Sequence, residues 1–516
     1  MTPVTDRISP ATSSSRVLDP SRFAHYVQRF NAQDVEDVVH LIPNAQAWPW
    51  MVENVPLFEC PDATIERTWY YRWWTYRKHI KPTPVGTIIT EFILPVRHAG
   101  TYNSISCATG HHLAEGRWIA ERRYLDEYTR FWFRADNGRP EPKFHKYSSW
   151  IAVAMLERSC VLGDLSLMLE LLDDLDADYR QWEQERLRED GLFWQYDVRD
   201  GMEESISGSR THRNARPTIN SYMFGNAVAI TQAARAAERD DLVEIYSAKA
   251  EKLRQLVHAR LWDAEAEFFK AQTEEGPLSD AREAIGFIPW RFMLPRPGYE
   301  AAWRQLIDPE GFWAPCGITT AERRHPQFRS HGVGNCEWDG AVWPFATTQT
   351  LEALANVLRH YDQPYVSRAD YLQAIEIYAR VHQRNGQPYI GEYHDEVTGE
   401  WLKGDNPRSR YYNHSTFCDL IITGLVGLVP RLDDCIEIDP LLPAEAWDWF
   451  CLDRVRYHGH EVSIVWDRTG ERYGRGAGLS VYVDGRLAGR QANLGRLLCR
   501  LGDTVSPGER SEACNG

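Results

Sequence analysis

Along most of the chain apolar residues recur at the three- and four-residue spacing of amphipathic helices, with charged residues filling the gaps. The pattern predicts helices over residues 63–79, 115–134, 148–162, 165–187, 221–237, 242–262, 298–306, 340–360, 367–383 and 416–428. An earlier helix start is signalled by Asp19, an N-cap type, followed by Pro20 at the first helical position. The stretch 84–106 breaks the rhythm: GTIITEFIL is β-branched and predicts a strand or hairpin. After Pro430 the spacing becomes strand-like, in CIEIDPLLP, RVRYHGHEVSIVWD and GLSVYVDGRL, with DRTGERYGRGAG and DG as turn signals between. The chain therefore divides into a helical domain over 21–430 and a small β module over 431–502, with disordered tails expected over 1–20 and 503–516. Ten or more helices with no solenoid repeat, and conspicuous loops at alternate connections, favour a closed helical toroid over an open bundle. The loops 191–220, 308–339 and 385–413 are rich in Gly, Pro, Asn and aromatics, and function is expected there.

Composition narrows the classes. With 516 residues, 43% of them hydrophobic, the chain can bury a large core. A net charge of -15 argues against a nucleic-acid backbone as partner, since phosphate binding wants a basic surface. No apolar run reaches membrane-spanning length, and the N-terminus lacks an apolar signal core, so a cytoplasmic protein is expected. None of the 10 Cys forms a CxxC pair, which points to buried thiols rather than a disulfide framework or a zinc site, and no cofactor motif is present. Oligomeric state is not legible. The 20 Trp and 24 Tyr outnumber the 18 Phe, so some of these rings are candidates for stacking on sugar faces while most belong to the core.

A sugar platform directs attention to paired carboxylates, because glycosidic cleavage needs one acid to protonate the leaving oxygen and one carboxylate to activate water or attack. Most acids here decorate helix faces, as in LREDG. Two loops differ. In GLFWQYDVRDGMEESISGSR, Glu203 and Glu204 follow a Gly and are flanked by Trp194 and Tyr196; the competing reading is a helix-start cap. In GQPYIGEYHDEVTGEWLKGDN, Glu392, Asp395, Glu396 and Glu400 cluster with Tyr393, His394 and Trp401; the competing reading is an acidic turn. Three segments supply candidate sugar contacts: GNCEWDGAVWPF with Trp338, Asp339 and Trp343, GHHLAEGRW with His111, His112, Arg117 and Trp118, and TINSYM with Asn220 and Tyr222.

On these motifs the chain resembles six-hairpin glycosidases with a mannosylglycerate-hydrolase-like catalytic domain, related to glycoside hydrolase family 63. The resemblance runs from about residue 21 to about 490 and includes IPNAQAWPWMVENVPLFECP, YNHSTFCDLIITGLVGLVPR and DPLLPAEAWDWFCLDRVRYHG. DGMEES occupies the place of the relatives' S-G-x-D-x-S, so Glu203 stands where their acid, an Asp, would be. EYHDEVTG occupies the place of their E-N-x-N-P-x-T-G, which puts Glu392 at the base. The W-x-G-x-x-W-P block is Trp338, Gly340, Trp343 and Pro344. The resemblance implies a mainly α fold, an (α/α)6 toroidal barrel, and an exo-acting, inverting glycosidase taking a small carbohydrate. It also implies that the two carboxyls lie roughly 6.5–9.5 Å apart. Rival readings keep the barrel and change the chemistry: an epimerase using histidines, a lyase, a phosphorylase with an anion site, a thiolate mechanism through Cys336 beside Glu337, or a non-catalytic sugar-binding protein.

Overall fold

A computed structural model describes residues 16–332 and 334–502. The tail expected over 503–516 and most of that over 1–20 lie outside the described residues. Residues 16–20 are packed, contrary to expectation: Leu18 is buried, and the Val17 and Leu18 N–H groups donate to Asp453 at 3.1 and 2.9 Å. Asp19 caps the turn Pro20–Phe23 as its sequence implied, accepting from the Ser21 N–H.

The helices alternate between two roles. One set is α1 (Ala63–Tyr76), α3 (Arg123–Arg134), α5 (Leu172–Arg186), α7 (Asp240–Leu261) and α10 (Arg368–Val381). The other set is α2 (Thr109–Gly116), α4 (Ile151–Leu162), α6 (Pro217–Ala236), the short α8 (Ile288–Arg291) and α9 (Pro344–His360), followed by a π-helical segment Leu420–Val426. Members of the second set pack on one another in chain order, α2 on α4, α4 on α6, α6 on α8, α8 on α9, and α9 on Leu420–Val426. The link back to α2 is polar. The Glu115 carboxylate accepts the N–H groups of Phe417, Cys418 and Asp419, satisfying donors that the start of a helix leaves unpaired.

Where the periodicity over-ran, the chain changes layer. The run 115–134 is two helices because residues 117–122 carry the chain from α2 to α3, with Arg117 turned inward onto Asp419. The run 416–428 is wide-turned at Leu420–Val426 and ends at Gly427, whose φ is +85°. A Cβ at Gly427 would sit 2.3 Å from the backbone of Asp439 and Pro440, so only glycine fits. The β-branched stretch forms a hairpin, Ile80–Thr83 with Gly86–Ile89, starting slightly earlier than expected.

After residue 430 the chain is β-rich, as its alternation indicated. Strands Trp449–Tyr457, His460–Asp467, Gly478–Val483 and Arg486–Gln491 form an antiparallel sheet, and Leu57–Glu59 from the N-terminal region adds a fifth strand against Trp449–Tyr457. A three-stranded sheet joins Leu428–Val429, Cys435–Ile438 and Leu497–Arg500. His458 anchors this part to α4 through the carbonyls of Cys160 and Val161. The Trp enrichment is mainly core: Trp69, Trp73, Trp74, Trp118, Trp132, Trp150, Trp182, Trp290 and Trp303 are fully buried. Among the described residues no helix is long and apolar enough to cross a membrane.

Candidate active site

Segments leading into helices of the second set and into Leu420–Val426 converge on one cavity. Cys107 precedes α2, Tyr147 precedes α4, Gly201 and Glu203 precede α6, Trp343 precedes α9, and Tyr412 and His414 precede Leu420–Val426. Glu203 and Glu392 both line it.

The loop carrying Glu203 is held from beneath. Arg216, fully buried, pairs with Asp200 at 2.8 Å and donates to the hydroxyls of Ser205 and Ser207. The Ser207 N–H donates to buried Glu283. Gly201 turns the chain with φ +72°, and a Cβ there would meet Cys107 at 3.5 Å. This turn separates two neighbours that the sequence left equivalent. Glu203 faces the cavity, whereas Glu204 pairs with exposed Arg210. Burial, reinforced by the negative charge of Asp197, pushes the Glu203 carboxyl up to about 7.

Glu392 has the opposite surroundings. The Ser409 hydroxyl donates to Oε1 at 2.6 Å, Arg408 Nε lies 3.3 Å from Oε1, and Lys403 Nζ lies 3.4 Å from Oε2. The other acids of its loop are engaged elsewhere: Asp395 Oδ1 accepts the Val397 and Thr398 N–H groups, and Glu396 pairs with Arg329.

Of the aromatic candidates, Trp343 lines the cavity. It is sandwiched between Trp338 and Tyr393, with ring centroids 4.6 Å away on each side. Trp338 thus sits behind the wall rather than in it. The other expected contacts are structural. Asp339 is buried and bound to His331 at 2.7 Å. His112 bridges Tyr128 and the Asn413 carbonyl. His111 is wedged between Trp150 and Phe345. Asn220 ties down both backbone groups of Phe193, and Tyr222 donates to Gln349. Trp194 packs under Arg186 and Arg213. Arg117 and Trp118 both bind Asp419 beyond the far end of α2, eight residues or about 12 Å of helix from Cys107. These nine residues do not line the cavity.

Sequence reasoning missed Glu91, Arg408, Tyr412 and His414, all of which do. Glu91 carried a signal: it is the single charge within the apolar run GTIITEFIL. It is 2% exposed, accepts from the Tyr412 hydroxyl, and has the Cys107 thiol 3.8 Å away. Among the described residues no group of His, Cys, Asp and Glu is arranged to hold a metal ion. Cys107, Cys160, Cys316, Cys336, Cys418 and Cys451 are free thiols.

The model of the mannosylglycerate hydrolase MGH1-like glycoside hydrolase domain matches residues 101–415, and that of the glycosyl hydrolase family 65 C-terminal domain matches residues 431–489. A solved structure titled "Sialidase" is 50% identical over 95% of this chain with a TM-score of 0.93; the chain spans 46% of that protein. Two more distant structures share the fold. A GH78 family rhamnosidase from Bacillus sp. GL1 is 12% identical with a TM-score of 0.55, covering 86% of this chain and 42% of its own. The GH63 mannosylglycerate hydrolase from Thermus thermophilus, in complex with glucose, is 13% identical with a TM-score of 0.50, covering 68% and 98%. The first family match takes in more than half of the sequence and both loops that carry Glu203 and Glu392, and the chain belongs to the mannosylglycerate hydrolase MGH1-like glycoside hydrolase family.

Proposed function

We propose that this chain is the catalytic part of an inverting glycosidase, with Glu203 as general acid and Glu392 as general base. The observation that carries the reading is the contrast between two carboxyls in one cavity. Glu203 is half-buried, has no ion pair among the described residues and is pushed up to about 7, which suits a proton donor near neutral pH. Glu392 faces Lys403, Arg408 and Ser409, the partners of an anion that takes a proton from water. In this mechanism Glu203 protonates the glycosidic oxygen as the bond to the anomeric carbon breaks. Water deprotonated by Glu392 attacks from the opposite face, and the sugar leaves with inverted configuration. Trp343, whose two faces are covered by Trp338 and Tyr393, contributes only its ring edge to the wall that the sugar meets.

The consecutive packing of the inner helices supports an (α/α)6 barrel over 21–430, with 431–502 as an accessory β module. Exo-action on a small glycoside or oligosaccharide is part of the same proposal. A phosphorylase would need free cations for phosphate, and the two cations nearest the site, Lys403 and Arg408, are engaged with Glu392.

The test is a panel of 4-nitrophenyl glycosides and the matching unactivated disaccharides, with product anomers followed by NMR. Inverted product is expected, independent of added phosphate. Glu392→Gln abolishes turnover of both substrate types. Glu203→Gln abolishes turnover of the disaccharide but spares much of the 4-nitrophenyl reaction, whose leaving group departs with little protonation. Full activity in both variants, or retention of anomeric configuration, overturns the reading.

A further inference from the structure

Two carboxyls account for the hydrolysis just described, yet a third lies in the same cavity. Glu91 follows the hairpin Ile80–Thr83/Gly86–Ile89 and is as deeply buried as any acid of the site. Its position is built rather than incidental. The Tyr412 hydroxyl occupies Oε1, the Asn413 N–H is bound by the Glu91 carbonyl, and the Asn413 side chain binds the Thr90 carbonyl, locking the hairpin exit to the segment leading into Leu420–Val426. Oε2 has only the weak Cys107 thiol contact at 3.8 Å, so it is the oxygen left for a ligand.

The hydrogen bonds from Tyr412 and Cys107 favour the ionised form, but burial and the neighbouring acids outweigh them. No cation pairs with Glu91 among the described residues. From its own segment and the loop that follows come Phe92 and His98, and burial, aided by Arg408, lowers His98 to about 4, so that ring is neutral. From the turn before α2 comes the Cys107 thiol, and from before α4 the Tyr147 hydroxyl. Tyr412 and His414 are also held neutral, burial pushing the first up and the second down. The Cys336 thiol is likewise pushed up, chiefly by burial. The charged groups are Glu392 and, once it has lost its proton, Glu203, which disfavour another anion, and Arg408, which is committed to Glu392 and stacks over Phe92. A buried carboxyl with no cation paired to it keeps its proton and becomes a hydrogen-bond donor.

We propose that Glu91 is a substrate-binding residue that works as a neutral carboxylic acid, donating its O–H to an oxygen of the sugar ring held between Glu203 and Glu392. This rests on the glycosidase reading and adds a titrating group to it. Burial, together with the negative charges of Glu392 and Glu203, pushes Glu91 up to about 8. Binding should therefore weaken as Glu91 ionises, because the donor is lost and a charge repels the lone pairs it had bound.

The experiment uses a 4-nitrophenyl glycoside cleaved by the wild-type chain, so that the Glu203 proton contributes little to the rate. The wild-type kcat/KM is expected to fall about tenfold per pH unit above pH ~8. Glu91→Gln, whose amide still donates, is expected to stay within about threefold of wild type at pH 6 and to lose that alkaline fall. Glu91→Ala is expected to lose about 10- to 100-fold at pH 6, mostly in KM. Infrared difference spectra between pH 6 and pH 9 should show carboxylic acid absorption from Glu203, Glu352 and Glu91, of which the Glu91 part is missing in Glu91→Gln, and this variant carries the test if the alanine variant does not fold. An unchanged alkaline limb in Glu91→Gln, or an infrared difference spectrum that this substitution leaves unaltered, overturns the proposal. Failure of the hydrolase reading looks different, since the wild-type chain would then release no sugar from any glycoside.

Discussion

The helix Thr109–Gly116 connects two buried clusters of charge that solve the same problem in opposite ways. At its far end Arg117 pairs with Asp419 at 2.8 Å and Glu157 at 3.3 Å, and Arg291 pairs with Glu157 and Glu352 at 2.5 Å each. Burial alone would raise Glu157, but Arg291 and Arg117 together hold it below the usual carboxylate range. These groups line a second cavity, yet they saturate one another and leave little for a ligand. At the near end buried Glu91 and half-buried Glu203 have no cation paired to them among the described residues, while Glu392 has Lys403 and Arg408. The difference separates a structural use of buried charge from a chemical one: the first matches every acid to a base, and the second withholds the match where a proton must be kept. A raised carboxyl by itself does not mark a site. Burial pushes Glu352 up to about 7 as well, but Glu352 sits in an Arg291 ion pair far from the proposed acids.

Substitutions at the two ends should therefore fail differently. The largest effects belong to the cavity: Glu392→Gln on either substrate, and Glu203→Gln on a disaccharide, should lower kcat by about 10²–10⁴-fold, measured by sugar release. Next is Arg117→Ala, which strands Asp419 and part of Glu157. It should cost about 3–5 kcal/mol of stability in denaturant unfolding while KM of the folded enzyme stays near wild type. A large KM change with unaltered stability would erase the distinction between the ends. An effect of comparable size is expected in the pH dependence of unfolding. The folded-state carboxyl of Glu91 is raised to about 8 from an ordinary value of 4.5, so its contribution is full below about 4.5 and is lost as pH rises towards about 8. The Tm of wild type relative to Glu91→Gln should fall across that window. Smallest is Glu204→Gln, which removes a half-exposed pair with Arg210 and should change stability by less than about 1 kcal/mol, with sugar release intact.

Much of this molecule was legible in its spacing. The helices over 63–79, 148–162, 242–262 and 367–383 were expected within a few residues of α1, α4, α7 and α10, because their apolar residues recur at helical spacing and each ends at a cap or turn. Boundaries failed where the chain crosses between layers, at 117–122, and where Gly427 stops a wide turn against Asp439 and Pro440. The Gly- and aromatic-rich loops 191–220, 308–339 and 385–413 each bring residues to the cavity, and Trp343 lines it as well. Selection within them was harder, since Glu203 and Glu204 differ by nothing but their order.

The amino-acid order by itself determined the helical repeat, the switch to strands after Pro430, and the loops that carry acids. These are properties of neighbours along the chain, written in periods of 3.6 and 2. Only the tertiary structure decided that Glu203 turns inward while Glu204 meets Arg210, and that Leu57–Glu59 joins a sheet nearly 400 residues downstream, pairing for instance Leu57 with Asp453. It also placed Glu91 beside Tyr412, and sent His111, His112, Arg117 and Trp118 into structural roles. Charge and hydrogen bonding act through space over a few ångströms, and the partners that set the state of a buried carboxyl come from segments hundreds of residues apart.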